Sequence, residues 1–99
     1  MSDNAIKVEN NTNEEQYEIH LDDGQLAILA YEREGDRITY LHTSVPPAFE
    51  GHGLAGKLAQ TALEDARSAQ LTVVPLCPFV SQYIKHHPEY QSLVTKKDS

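Results

Sequence analysis

The stretch Phe49–Leu63, FEGHGLAGKLAQTAL, puts three glycines within six positions and then runs straight into a helical pattern. Leu54, Leu58, Ala62 and Ala66 recur at steps of four, flanked by Ala55, Ala59 and Leu63. Lys57, Gln60, Thr61, Glu64, Arg67 and Ser68 fill the positions between them. This period predicts an amphipathic helix over Gly53–Ala69, and its many alanines allow close approach to a sheet. Upstream of Phe49 the apolar residues alternate instead, which is the period of strands. The change of period at the glycines therefore divides the chain into a strand-rich half and a half that contains helices.

Upstream, AIKVEN (5–10) suggests a first strand through Ile6 and Val8, and NNTNEE (10–15) a polar turn. In QYEIHL (16–21), Tyr17, Ile19 and Leu21 share one face, as in a half-buried strand. DDG (22–24) is a hairpin signal. QLAILAYER (25–33) is apolar enough to suit a central strand covered on both faces. EGD (34–36) is a second tight turn, and RITYLHTSV (37–45) a further strand, ended by Pro46-Pro47. Alternation along that last strand puts His42 and Ser44 on the face of Ile38 and Tyr40. Downstream of the helix, LTVVPL (71–76) is a strand containing Pro75, and FVSQYIKHH (79–87) a second helix stopped by Pro88. The tail TKKDS (95–99) is expected to be disordered. The order predicts a single α+β domain over residues 1–99: an antiparallel meander, a crossover helix, a parallel strand and a C-terminal helix.

Composition narrows the functional classes. The chain has 99 residues, 39% hydrophobic and 23% charged, with a mean hydropathy of -0.51. Its longest apolar runs are too short to span a membrane. The opening residues carry no secretory pattern, so a cytoplasmic location is expected. The net charge of -7 argues against nucleic acid, which favours a basic face. Residues 1–36 hold two basic and ten acidic side chains, a net -8, whereas residues 37–99 hold six and five, a net +1. Four of the five histidines (His42, His52, His86 and His87) lie in the second part, where an anionic ligand is better tolerated. Cys77 is the single cysteine, which excludes an internal disulfide and a cysteine-rich metal cage. His86 and His87 are adjacent and lack the spacing of paired helical ligands, so no metal is expected.

The first amides of a helix lack intrahelical acceptors and carry the positive end of its dipole, a ready seat for phosphate. A glycine turn there also has ordinary structural uses, so it does not by itself define a site. Pro75 adds the second element. Proline cannot complete a strand ladder, so the strand containing it should part from 37–45 near the C-terminal ends. Pro78 reinforces the break. A gap between parallel strands beside a helix N-terminus is where ligands bind in open α/β arrangements. A phosphate at one end and an amide-bearing arm in the gap describe coenzyme A.

With these residues in place, the chain resembles the GNAT superfamily of acetyl-CoA-dependent N-acetyltransferases, and within it the short single-domain acetyltransferase-like proteins. The resemblance spans Ile6 to Val94. It rests on VPPAFEGHGLAGKL (45–58) and VPLCPFVSQYIKHHPEY (74–90). The superfamily's pyrophosphate signature reads Glu50-Gly51-His52-Gly53-Leu54-Ala55 here; Gly53 and Ala55 match it, while Glu50 stands where a cation or neutral amide is usual. A minimal form of the superfamily fold is implied, with acetyl-CoA as cofactor. So is a cofactor site made of Thr43, Ser44, Val45, Glu50, Gly51, His52, Gly53, Leu54, Ala55, Gly56, Lys57, Cys77, Pro78, Tyr83 and His86, with Phe49 also lining it. Backbone amides around Thr43–Val45 would meet the thioester and pantetheine arm, and Lys57 or His52 would supply counter-charge. Tyr83 falls where the superfamily places a tyrosine near the coenzyme sulfur, as general acid; its alternative role is packing on Phe79 one turn earlier. Cys77, at the start of the second helix, is either a thiol contacting the acetyl group or the coenzyme, or a buried inert one. His42 is either a proton relay from the acceptor or a packed, hydrogen-bonded histidine.

Three functions remain open at this level. The first is acetyl transfer from acetyl-CoA to an amine. The second is a coenzyme A or acyl-CoA-binding module without catalysis, favoured by Glu50 and by the lack of helices after the first strand. The third is an interaction domain that keeps only the fold. The short NNTNEE turn leaves the acceptor side open, which suits a protein or polyamine acceptor, a partner subunit or a homodimer; the acidic first part suits a cation.

Overall fold

The alternation and the four-residue period translate directly into elements in the computed structural model, which describes residues 6–22 and 24–94. Strands β1 (Val8–Asn11), β2 (Gln16–His20), β3 (Leu26–Glu34) and β4 (Arg37–Ser44) precede helix α1 (Leu54–Ser68). Strand β5 (Thr72–Pro75) and helix α2 (Pro78–His86) follow, with 3-10 turns at Pro47–Phe49 and Pro88–Leu93. The sheet order is β1-β2-β3-β4-β5; the first four strands are antiparallel neighbours, and β4 and β5 are parallel. The fold is thus the expected α+β meander with a crossover helix and a splayed parallel strand. The first strand begins later than AIKVEN suggests: Ile6 precedes it and is exposed. The tail 95–99 lies outside the described residues. Among the described residues no helix is long and apolar enough to cross a membrane.

The core lies between one face of the sheet and α1. Tyr17, Ile19, Leu29, Ile38, Tyr40 and Val73 meet Leu58, Ala59, Ala62, Leu63 and Ala66, all at most 3% exposed. The alanines let the helix approach closely enough for Tyr40, fully buried, to donate its hydroxyl to the Ala62 carbonyl at 2.7 Å. Tyr17 donates to Asp65 Oδ2 at 2.9 Å one turn further on. Two tyrosine hydroxyls therefore fix the helix in both azimuth and height over the sheet. Burial, with the hydrogen bond to Asp65 second, pushes the Tyr17 phenol well above its ordinary pKa; burial does the same for Tyr40. Both remain donors at every pH at which the domain would be studied.

Two expectations are corrected here. Strand β3 is not covered on both faces. Ala27, Leu29 and Tyr31 are buried while Leu26, Ile28 and Ala30 are only half-buried, because α1 and α2 pack on the same side. The second concerns His42 and Ser44. The β3–β4 register shifts at Ala30/Tyr31: Tyr31 opposes Tyr40, yet Ala30 opposes His42, leaving Leu41 as an extra, bulged residue. A bulge inverts the side-chain alternation beyond it. Thr43, opposite the buried Leu29, therefore takes the helix-side face, and His42 and Ser44 point to the open face, where both are exposed.

The open face carries a fixed charge cluster. Glu18 is 6% exposed, and its Oε2 accepts from Gln16 Nε2 at 2.7 Å and Asn11 Nδ2 at 2.9 Å. Its Oε1 lies 3.3 Å from His20 Nε2, which also sits 3.7 Å from Glu9 Oε1. The Gln16 and Asn11 amides hold the Glu18 carboxyl below the usual glutamate range. A depressed folded-state pKa contributes stability above the ordinary value of about 4.3, lost as pH falls through the lower folded value. Glu18→Gln is therefore expected to flatten the acid limb of stability, read as urea midpoints between about pH 6 and pH 3. An unchanged acid limb contradicts this role.

The parallel strands part where Pro75 predicts. The last β4–β5 pair is Tyr40 with Pro75, and one further bond runs from the Cys77 amide to the Tyr40 carbonyl at 2.9 Å. Strand β4 continues four residues beyond that pair without β5 beside it. The outer edge of β5 is met by an isolated bridge between Val73 and Val94.

Candidate functional site

A cleft opens where the strands part. It has a volume of about 500 Å³ and lies between the end of β4, the glycine turn with the first turn of α1, and the first half of α2. Thr43, Val45, Phe49, Leu54, Phe79 and Tyr83 form its walls, and Glu50, Gly51, Gly53, Ala55 and Gly56 its end. Gly51 and Gly53 have φ of 87° and 78°. A Cβ at either would meet nothing within 4 Å, so it is the left-handed backbone that calls for glycine, not lack of space. Gly53 caps α1 with no side chain, and the first helical bond is made by the Lys57 amide to the Gly53 carbonyl. The amides of Leu54, Ala55 and Gly56 are left without helical acceptors at the positive end of the dipole. Free amides at one end and apolar walls along the rest fit a pyrophosphate and its pantetheine arm.

Tyr83 is held at the wall by a stack of rings. His87 lies 3.9 Å from it, nearly parallel at 14°, and Phe79 and Tyr90 lie at 6.3 Å. Tyr90 is itself anchored by donating to Glu64 Oε2 at 2.6 Å. The Tyr83 hydroxyl has no protein hydrogen-bond partner among the described residues. Burial, then the nearby Glu89 and Glu64 charges, raises its pKa, which keeps the proton available for donation. Packing on Phe79 and a place in the cleft are thus both realised.

Of the residues expected from sequence, the cleft brings together Thr43, Val45, Phe49, Glu50, Gly51, Gly53, Leu54, Ala55, Gly56 and Tyr83. Glu50 therefore lies in the lining rather than away from it. His52 and Lys57 are exposed and outside the lining, as is Pro78 at the first position of α2. Ser44 faces the open side through the bulge. His86, at the last turn of α2, places its Nδ1 3.0 Å from the Gln82 carbonyl. Cys77 is 1% exposed, outside the lining, with its Sγ 3.2 Å from Thr43 Oγ1. Phe79 is the wall residue absent from the expected site. Its signal was its place four residues before Tyr83, which puts both on one helix face.

The splayed parallel pair beside an uncapped helix N-terminus is the arrangement the sequence resemblance implies, and comparison with known proteins shows the family. The family model of the GCN5-related N-acetyl-transferases matches residues 16–93. The chain belongs to that family, whose acetyltransferases use acetyl-CoA. It is similar to Protein NATD1 of Mus musculus, 36% identical over 90 residues covering 89% of this chain and 82% of that one. NATD1 of Homo sapiens is likewise 36% identical over 90 residues, covering 89% and 80%. The solution structure of a GCN5-like protein from Staphylococcus aureus superposes with a TM-score of 0.71, over 96% of this chain and 91% of that one, at 24% identity. That likeness speaks to the fold alone.

Proposed function

We propose that the protein transfers an acetyl group from acetyl-CoA to an amine. The observation that carries this reading is the junction of two features: β4 loses its parallel neighbour after Tyr40, immediately beside the uncapped amides of α1. Acetyl-CoA supplies an activated acyl group as a thioester. The Leu54–Gly56 amides seat its pyrophosphate, and the unpaired end of β4 meets its amide-bearing arm. Tyr83 gives its proton to the departing sulfur. The cationic acceptor first gives one proton to solvent, which leaves a neutral amine to attack. As the new C–N bond forms and the C–S bond breaks, coenzyme A leaves as the thiol, and the nitrogen releases its second proton to solvent, which reprotonates Tyr83. Direct attack suffices, since amines react readily with a thioester held in line.

The acceptor meets the sheet's open face. Among the described residues no element covers that face, and the turn between β1 and β2 is only residues 12–15 long. Glu9, Glu18 and Glu32 lie on it by register, which favours a cationic amine, on a small molecule or a protein. Incubating the protein with acetyl-CoA and a panel of primary amines, with free thiol and acetylated product both measured, tests transfer. Thiol release that tracks product formation is expected. Background rates with every amine, together with intact coenzyme A binding, favour a second reading. In that reading the domain binds acyl-CoA without catalysis, and the negative charge of Glu50, a residue of the cleft lining, weakens its hold on the pyrophosphate.

A further inference from the structure

Thr43 lines the cleft, and Cys77 is buried against it. The bulge at Leu41 turns Thr43 to the helix side, where it lines the cavity. Cys77 lies behind it, 1% exposed and outside the lining. Cys77 is the N-cap residue of α2, yet it makes no side-chain cap to its own helix. Its sulfur instead lies 3.2 Å from Thr43 Oγ1. Its backbone is fixed on both sides: the amide donates to the Tyr40 carbonyl, and the carbonyl accepts from Ser81 at 3.0 Å. The thiol thus lies against the hydroxyl of a residue that lines the cavity, while its own main chain is held at both amide and carbonyl.

We infer that Thr43 is the side-chain donor to the thioester carbonyl, and that Cys77 is its positioning residue, not an acyl carrier. This rests on the acyl-CoA reading of the cleft. A thiol is a weak donor and its sulfur a weak acceptor, while a hydroxyl oxygen accepts well. The pair is best satisfied with S–H donating to Thr43 Oγ1, which leaves the Thr43 proton free to turn into the cavity. A fixed donor at the place where negative charge develops on the carbonyl oxygen needs no reorganisation during reaction. An acyl-cysteine would need the Cys77 sulfur to leave its place against Thr43 Oγ1 and reach the cavity from a position that is 1% exposed.

The test reads the bound thioester directly. Acetyl-CoA labelled with carbon-13 at the carbonyl is bound to the wild type, Thr43→Val, Thr43→Ser, Cys77→Ser and Cys77→Ala proteins, and its carbonyl stretch is followed by isotope-edited infrared spectroscopy. The wild type is expected to lower the frequency relative to free acetyl-CoA. Thr43→Val should return it towards the free value, while Thr43→Ser and Cys77→Ser preserve the shift and Cys77→Ala broadens it. In turnover, Thr43→Val should lose about a hundredfold in kcat/KM, at the low end of the range for one oxyanion donor, with Thr43→Ser much closer to wild type. A carbonyl frequency unchanged by Thr43→Val overturns the donor role, and an acetyl group found on Cys77 by intact mass overturns the positioning role. The spectroscopy needs binding only. No thermal stabilisation by coenzyme A overturns the cofactor reading and this donor with it; stabilisation with an unshifted carbonyl overturns the donor alone.

Discussion

Tyr83→Phe is expected to lower kcat by about a thousandfold, within the range of a lost general acid, while coenzyme A affinity stays within about twofold. The substitution deletes one hydroxyl that has no protein hydrogen-bond partner among the described residues, so no buried partner is left unsatisfied. The ring stack on His87, Phe79 and Tyr90 remains, and with it the wall of the cleft. Loss of kcat without loss of binding is the signature of a group used only as the sulfur departs. The pH profile gives a second readout. Because the Tyr83 pKa is raised above its ordinary value of about 10, its proton is retained through neutral pH and its loss should lower the wild-type rate only on the far alkaline side; the fall at low pH comes from protonation of the acceptor amine and should be common to both proteins. Thiol release at saturating acetyl-CoA, followed across pH for both proteins, checks both points. A Tyr83→Phe protein that turns over at the wild-type rate removes Tyr83 from the chemistry.

Ala55→Asp is expected to weaken coenzyme A by about a hundredfold, or about 2.7 kcal/mol. Ala55 is in the first turn of α1 and lines the cleft. A carboxylate there takes up the amides offered to the pyrophosphate and repels its charge across a few ångströms. The same substitution suits the helix, because an acidic residue in the first turn favours the dipole. The first turn carries no acidic side chain in the natural sequence. Ligand-free stability should therefore hold or rise slightly while ligand affinity falls. Paired measurements of the melting temperature and of calorimetric affinity separate these effects. Equal coenzyme A affinity for the two proteins contradicts a phosphate seat at this helix end.

Much of this was legible before any coordinates. The four-residue period fixed α1 to within one residue at each end, since Gly53 and Ala69 became its caps. Pro75 located the parting of β4 and β5, because a missing donor has a fixed consequence for a ladder. The bulge at Leu41 was not legible: it has no glycine or proline to mark it, and it arises from the fit of β4 against β3. It nevertheless reversed His42, Thr43 and Ser44, the three residues nearest the chemistry. The exposure of Leu26, Ile28 and Ala30 was hidden for a related reason. An apolar run does not say how many layers cover it, and here both helices went to one side. Cys77 shows a third limit. Its place between the last strand and the second helix was plain in the sequence, but its burial against Thr43 depends on packing between α2 and β4.

The most direct measurement is the melting temperature with and without coenzyme A. At a hundred times the dissociation constant, linkage contributes about 2.7 kcal/mol. In a domain of this size that is a rise on the order of 10 °C. A saturable rise of that order, reduced in Ala55→Asp, is the predicted result. No change at millimolar coenzyme A would contradict the assignment of the cleft.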